Sequence, residues 1–340
     1  MYFTDNGRDW MGDDIPPCEL NKVSYKGEHF GFPYFHGNDI PDDSFNAPDD
    51  FSYTKPVWGF QAHTAPLGID FYTGNMFPEK SRPIDRGQRT PMDRDILYFI
   101  STTHNYHVFK EITEDVKSNL LVLTEVLDRV VEVRDRRFDN HEDITLNFIS
   151  SWFVYGDANT NPVSEDGQCD PRGFYSITKR AAEQLIISFC ETFGVKYRIL
   201  RLCNVLGDND KDASLQKNAI TQMIANMRDG QPIRLYNEGT DIRDILHVQD
   251  VCRAIDLVIT KGEKNQIYNI GSGQPTKVGD IINKAKELLN SPSEIVSVPS
   301  PKFHSVVQTK DIWKDTTKVK SLGFEQKISL DDLIKQLCKI

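Results

Sequence analysis

Residues 150–179 read SSWFVYGDANTNPVSEDGQCDPRGFYSITK. Two serines close an apolar, strand-like run, TLNFISS over 145–151. A polar loop follows, then an amphipathic stretch from Phe174 to Phe193 that Gly194 ends. The spacing predicts a helix there, with Ile177, Ala181, Leu185 and Phe189 as its apolar stripe. Tyr175 and Lys179 are four residues apart and so share one helix face, one turn apart. Free tyrosine titrates near about 10. A fixed ammonium beside it favours the phenolate, which makes the pair a plausible proton-transfer device. Ser151, at the end of the adjacent strand, can donate to the oxyanion that develops when carbonyl and alcohol interconvert.

A Tyr-x-x-x-Lys spacing is common, and alone it reads as an exposed helix turn. Its neighbours decide the matter. Upstream, DILYFIST (95–102) is an apolar run of strand length, and Val116–Val133 has helical spacing with Leu120, Leu123, Val126, Leu127 and Val130 on one side. Downstream, KYRILRLC (196–203) reads as a third strand. Further helices are expected at about 217–229, 249–260, 278–289 and 329–338, and strands at 232–236 and 266–270. Strands alternating with helices imply a doubly wound parallel sheet, which holds ligands at its carboxyl edge. The ordered motifs are Ser150-Ser151 with Tyr155-Gly156, RLCNVLG (201–207), DIRDILHVQDV (241–251) and YNIGSG (268–273).

Over about residues 93–340 these motifs resemble the extended short-chain dehydrogenase/reductase family, the NAD-dependent epimerases and dehydratases of nucleotide sugars. The resemblance implies a Rossmann-like α/β sheet with a small C-terminal substrate-binding part at about 205–235 and 275–340. It implies NAD or NADP as cofactor and a nucleotide sugar as substrate. By it Tyr175 is the catalytic base, Lys179 positions it and binds the nicotinamide ribose, and Ser151 binds the reacting oxygen. Ser101, Thr102, Asn119, Ser150 and Val205 would lie along the cofactor. Asn204 would contact substrate, and Arg243 would pair with the nucleotide diphosphate, a task suited to a guanidinium fork. Read without the family, Asn119 is a helix-surface amide. No metal site is implied. Family members pair through two long helices, here 116–133 and 174–193, so a homodimer is expected.

Two departures stand out. In the 4,6-dehydratases an Asp-Glu pair follows the strand-end residue, whereas this chain has Trp152 and Phe153. That favours an epimerase or keto-reductase. The family also opens with a strand and a GxxGxxG turn at a helix N-terminus, which holds pyrophosphate. No GxxGxxG occurs anywhere in this sequence, so the parallel sheet is read as truncated, and the residue that would choose NAD or NADP is not found. A catalytically inactive fusion of two gene fragments is the competing reading.

Residues 1–92 differ in composition. They hold 16 of the 35 aromatics, 10 of the 17 prolines and 9 of the 21 glycines. Short aromatic runs between dense turn signals suggest strands of a β-rich or irregular fragment. The stretches FTDNGRDWMGDDIPPCELN (3–21), GEHFGFPYFHGNDIPD (27–42) and HTAPLGIDFYTGNMFP (63–78) resemble pyrroloquinoline-quinone-dependent glucose and sorbosone dehydrogenases, which are β-propellers. In that family the turn around Gly7 and Arg8 lies on the cofactor face. One or two blades cannot enclose a quinone, so a quinone-dependent sugar dehydrogenase fragment is a third reading. His36 and His63 read as loop or core histidines, and Asp39, Asp42, Asp43, Asp49 and Asp50 as a solvated surface. The boundary to the second part is placed in SRPIDRGQRTPMDRD (81–95).

A net charge of -10 argues against nucleic-acid binding. No apolar run approaches the roughly 18 residues of a membrane span. MYFTDNGRDW has no signal-peptide pattern. Six scattered cysteines without a CxxC pair suggest a reducing, cytoplasmic setting without disulfides or zinc.

Overall fold

In a computed structural model the chain divides into two units, Met1–Asn75 and Met76–Ile340. The residues described are 2–5, 17–22, 28–32, 34–56, 58–62, 95–137, 144–157, 160–207, 210, 217–307 and 311–339. The division precedes the 92/93 boundary drawn from composition.

The first unit has short strands, as its turn density suggests. β1 (Tyr2–Asp5), β2 (Pro17–Lys22) and β5 (Trp58–Ala62) form an antiparallel sheet in the order β1-β2-β5, and β3 (Phe35–His36) pairs with β4 (Ile40–Pro41). His36 is buried, as a core histidine would be. Asp42 is also buried and corrects the reading of a solvated acid. Its carboxylate accepts from Ser44 N–H at 2.9 Å and meets His36 Nε2 at 3.4 Å, so it works inside the turn. Gly7, Arg8, His63 and the aromatic run at 67–72 lie outside the described residues.

The second unit carries the parallel sheet. Its strands are β6 (Asp95–Tyr98), β7 (Thr145–Ser151), β8 (Lys196–Leu202) and β13 (Gln266–Ile270), in the order β13-β8-β7-β6, all parallel. All seven residues of β7 are buried, which suits a central strand covered on both faces. β6 is shorter than the expected 95–102, because Phe99 and Ile100 turn outward. A helical run starts with α1 (Glu114–Val116), passes through a π-helical segment (Lys117–Leu121) and continues as α2 (Val122–Arg137). Together with α3 (Phe174–Phe193) it covers one sheet face, where Leu123, Leu127 and Val130 meet Leu146, Phe148 and Ile186.

On the other face, α5 (Val248–Lys261) and α8 (Thr317–Ser321) pack Val251, Ile255, Val258 and Val319 against Ile149, Leu200 and Ile270. This is the doubly wound arrangement. A separate core joins α4 (Ala219–Arg228), α6 (Val278–Leu289) and α9 (Leu330–Cys338). Small added sheets pair β9 (Asn204–Leu206) with β12 (Ile245–His247), β10 (Ile233–Tyr236) with β15 (Ile295–Val298), and β11 (Ile242–Arg243) with β14 (Thr276–Lys277). The remaining helix is α7 (Lys302–Val307). No helix among the described residues is long and apolar enough to cross a membrane.

One expectation fails on α3. Ile177 and Leu185, assigned to the inward stripe, are 47% and 40% exposed. The buried face instead carries Tyr175, Ser176, Thr178, Lys179, Ala182, Glu183, Ile186 and Cys190. Half of these are polar, so apolar periodicity points to the wrong side. The start of α3 is held by Gly173, whose N–H donates to Ser176 Oγ at 2.9 Å. A Cβ on Gly173 would stand 1.9 Å from Asn105 Oδ1. Gly173→Ala is therefore expected to cost about 1–3 kcal/mol by overpacking. Urea unfolding should show most of that loss recovered in the G173A/N105A double variant, and additive losses would contradict the close approach.

Candidate active site

β7, β8 and β13 end in register at Ser151, Leu202 and Ile270. Successive side chains on a strand face opposite ways. Ser150 turns toward α3, where its Oγ donates to Glu183 Oε1 at 2.6 Å. Ser151 caps the short 3-10 turn Trp152–Val154, its Oγ accepting from Phe153 N–H at 3.3 Å. Its hydroxyl proton stays available for a ligand oxygen or for the phenol of Tyr175.

Tyr175 is buried near the start of α3. Burial pushes its phenol up to about 12; the Ser151 hydroxyl pulls it down, and the Asp115 carboxylate pushes it up further. The expected lowering by Lys179 is therefore not what dominates. The Lys179 ammonium is turned onto the Ile149 carbonyl at 2.7 Å and lies 4.5 Å over the Phe148 ring. Burial pushes it down to about 7, against an opposing pull from Glu183.

Asn119 is not a surface amide. It is buried within the π-helical segment. Its Oδ1 accepts from Thr102 N–H at 2.8 Å, and its Nδ2 donates to Thr102 Oγ1 at 2.9 Å and Thr178 Oγ1 at 2.8 Å. Both amide hydrogens are engaged inside the protein, so the side chain ties the end of β6 to α3. Thr178 Oγ1 in turn donates to the Tyr175 carbonyl at 3.0 Å. Ser101 is half-buried, and its hydroxyl bonds to the Thr102 carbonyl.

Asn204 and Val205 begin β9, with Asn204 N–H on the Asp244 carbonyl at 3.0 Å. Arg243 is buried on β11, bonded to the Ile242 carbonyl at 2.9 Å and Asp241 at 3.3 Å. Its guanidinium lies 5.3 Å over the Trp152 ring. Trp152 stacks on Phe153 with centroids 3.8 Å apart, and Phe153 meets Tyr175 edge-on at 6.0 Å.

Residues 95–271, more than half of the chain, match the NAD dependent epimerase/dehydratase family. The chain belongs to that family. It is 32% identical over 185 residues to the low-salt glycan biosynthesis protein Agl12 of Haloferax volcanii, covering 54% of this chain and 57% of that one. It is 30% identical over 209 residues to GDP-6-deoxy-D-mannose reductase of Pseudomonas aeruginosa, covering 60% of this chain and 66% of that one. The chain thus spans less than two thirds of either relative. Among solved structures, UDP-glucose 4-epimerase of Thermotoga maritima with UDP-glucose aligns at a TM-score of 0.64 and 25% identity, covering 72% of this chain and 76% of that one.

In this epimerase/dehydratase-family chain, sequence reasoning missed several residues around Tyr175. Asp115 is buried and accepts from Thr102 Oγ1. It stands one helical turn before Asn119, a spacing that could have flagged it. Asn105 packs under Gly173 and accepts from Ser176 N–H at 3.4 Å. Tyr106 bonds to His304 of α7 and packs on Phe303 at 5.1 Å, joining the segment after β6 to the C-terminal part. No local pattern announces a contact between residues 198 positions apart.

The buried ammonium has a consequence for stability. Lysine titrates near about 10.4 when unfolded and near about 7 here. Between these values the unfolded chain binds more protons, so stability rises with pH. Wild type is expected to gain stability relative to Lys179→Met from about pH 7 to about pH 10, by about 1–3 kcal/mol once screening and the unpaired Ile149 carbonyl are allowed for. Urea melts across that range measure it, and a pH-independent difference would contradict the charge burial.

Proposed function

We propose that the chain is an NAD(P)-dependent nucleotide-sugar epimerase or keto-reductase working through Ser151, Tyr175 and Lys179. The observation that carries the reading is the meeting of the Ser151 hydroxyl and the Tyr175 phenol at the carboxyl end of β7. A hexose C–O placed there would receive a hydrogen bond from Ser151 Oγ and exchange a proton with Tyr175 Oη. With the phenol held near about 12, Tyr175 carries its proton at neutral pH, which favours reduction of a ketone. In that direction the proton passes from Tyr175 Oη to the new alkoxide, and solvent restores it. Arg243 would hold the nucleotide diphosphate, with Asn204 on the substrate side.

The side chains fit one end of a dinucleotide. Ile149 uses one of the three donors of Lys179, leaving others for a ribose hydroxyl. Thr102, Ser150 and Val205 lie at neighbouring strand ends, with the Thr102 and Ser150 hydroxyls already bonded inside the protein. A bound nicotinamide supplies hydride acceptance and return. The pyrophosphate end is different: the family match begins at residue 95, with no GxxGxxG ahead of it. That observation favours the second reading, an inactive fusion of two gene fragments.

Calorimetry of the full chain with NADH and NADPH separates the two. Saturable binding is expected, whereas none at millimolar cofactor leaves the fusion reading. Tyr175→Phe is expected to lower kcat by about 10²–10⁴-fold with cofactor binding intact. Reduction should be flat through neutral pH, while alcohol oxidation rises about tenfold per pH unit, since it needs the phenolate. Loss of reduction with a midpoint near 7 would assign the proton to Lys179 instead.

We also infer that a second copy packs on the outward face of α1–α3. Val116, Leu121, Ile177, Leu185 and Phe193 are each 40–47% exposed there. Light scattering is expected to give a dimer that Leu185→Glu converts to monomer. A wild-type monomer would contradict the reading.

A further inference from the structure

The turn after Ser151 carries two rings and no acid. Trp152 is buried, and the Arg243 guanidinium covers it at 5.3 Å. Phe153 stacks on it at 3.8 Å with 22° between planes and stays partly open. The backbone N–H of Phe153 is bonded to Ser151 Oγ at 3.3 Å, and its ring stands at 88° to Tyr175 at 6.0 Å. Phe153 is thereby tied to both groups that would hold the reacting oxygen. A sugar whose reacting oxygen met Ser151 and Tyr175 would bring a substituent of a neighbouring carbon beside the Phe153 ring.

We propose that Phe153, backed by Trp152, is a specificity-determining residue that selects a nucleotide sugar with an apolar substituent beside the reacting carbon. The substituent that fits is a methyl group, as in a 6-deoxy-4-keto sugar, rather than a hydroxymethyl or a carboxylate. The inference rests on the reading of Ser151 and Tyr175 as the reacting pair. A methyl group gains apolar contact with the ring. A hydroxyl pressed there loses water without gaining a partner, and a carboxylate loses more. Trp152 backs the ring: it is buried, and its own ring is contacted by the Arg243 guanidinium, which is bonded to the Ile242 carbonyl and Asp241. The substrate would then come from a dehydration that expels the hydroxyl of that substituent as water, reducing it to a methyl group while the reacting carbon is oxidised to a ketone.

The test uses matched pairs that differ only in the 6-hydroxyl: UDP-, dTDP- and GDP-6-deoxyglucose against the corresponding glucose nucleotides. Calorimetry gives their affinity for the full chain with cofactor present, and turnover gives kcat/KM. The 6-deoxy member is expected to be preferred by about tenfold, the low end of what one group contributes in an apolar pocket. Phe153→Ser should bring the ratio within about twofold of unity. Phe153→Tyr keeps the ring, supplies a partner for the hydroxyl, and should reverse the preference even if the serine variant fails to fold. Equal affinity within the pairs, or a preference that survives in Phe153→Tyr, overturns the proposal while Tyr175-dependent turnover stands. Failure of every nucleotide sugar to bind overturns it together with the reading beneath it.

Discussion

Everything at this site hangs on the buried pair Glu183–Arg201. Arg201 on β8 donates through Nε and Nη2 to the two carboxylate oxygens of Glu183 at 3.0 and 2.8 Å. Neither side chain is more than 1% exposed. Ser150 on β7 donates to the same carboxylate, as does Arg180 at 2.8 Å. One acid on α3 therefore grips two adjacent strands at their carboxyl ends. Glu183 follows Tyr175 and Lys179 at helical spacing, so this grip sets where those two stand over Ser151. Removing one partner of such a pair leaves a buried charge and costs about 3–5 kcal/mol, while replacing both by apolar groups can be neutral. The pair is better understood as fixing position than as adding stability.

The same network reaches outward. Arg201 lies 4.7 Å over the Tyr155 ring and donates to the Glu165 carbonyl at 2.9 Å. Tyr155 donates to Asn269 Oδ1 at 2.6 Å, and Asn269 Nδ2 bonds the Val163 and Asp315 carbonyls at 3.0 and 3.2 Å. The loop after Ser151 and the segment before α8 are thus fastened to β13. On the opposite flank, Asn119 does comparable work between β6 and α3. It can reach both because the π-helical segment inserts it toward the sheet, a distortion often found at functional sites. The strand ends are held from two sides by hydrogen bonds, and both amide hydrogens of Asn119 and of Asn269 are used in them.

Much of this was legible in the sequence, for physical reasons. β7 and β13 begin and end where apolar runs and turn residues place them, and α3 ends at Gly194, which adopts φ 70°. Tyr175 and Lys179 were read from their spacing and Ser151 from the end of a strand, and those elements formed: Ser151 ends β7, and the other two lie on the buried face of α3. What was not legible has a common cause. The inward face of α3 is half polar, because Ser176, Lys179 and Glu183 are buried for their hydrogen bonds. Apolar periodicity then pointed to Ile177 and Leu185, which face outward. Asn119, Asp42 and Asp115 were misread or missed on the same ground: polar residues are assigned to the surface unless their partners are known, and those partners are distant or lie around a turn. Pairings such as β9 with β12 need a tertiary neighbour to make a strand of three residues.

Burial also sets the chemistry. Dry surroundings disfavour both charged forms in the Tyr175–Lys179 pair, raising the phenol and lowering the ammonium. A site that meant to hold a phenolate ready would keep a cation against it. Here the cation is drawn away to a backbone carbonyl and an aromatic ring, and the buried acid Asp115 opposes the phenolate further. The resting state is a proton donor beside a hydroxyl, walled on one side by rings. Such a wall raises the strength of the Ser151 and Tyr175 hydrogen bonds by excluding water. Trp152 and Phe153 themselves offer no carboxylate that could draw a second proton from the sugar. On the proposed reading, proton donation to one oxygen is the chemistry these side chains would do, and the ring wall beside them would be the surface that sorts substrates.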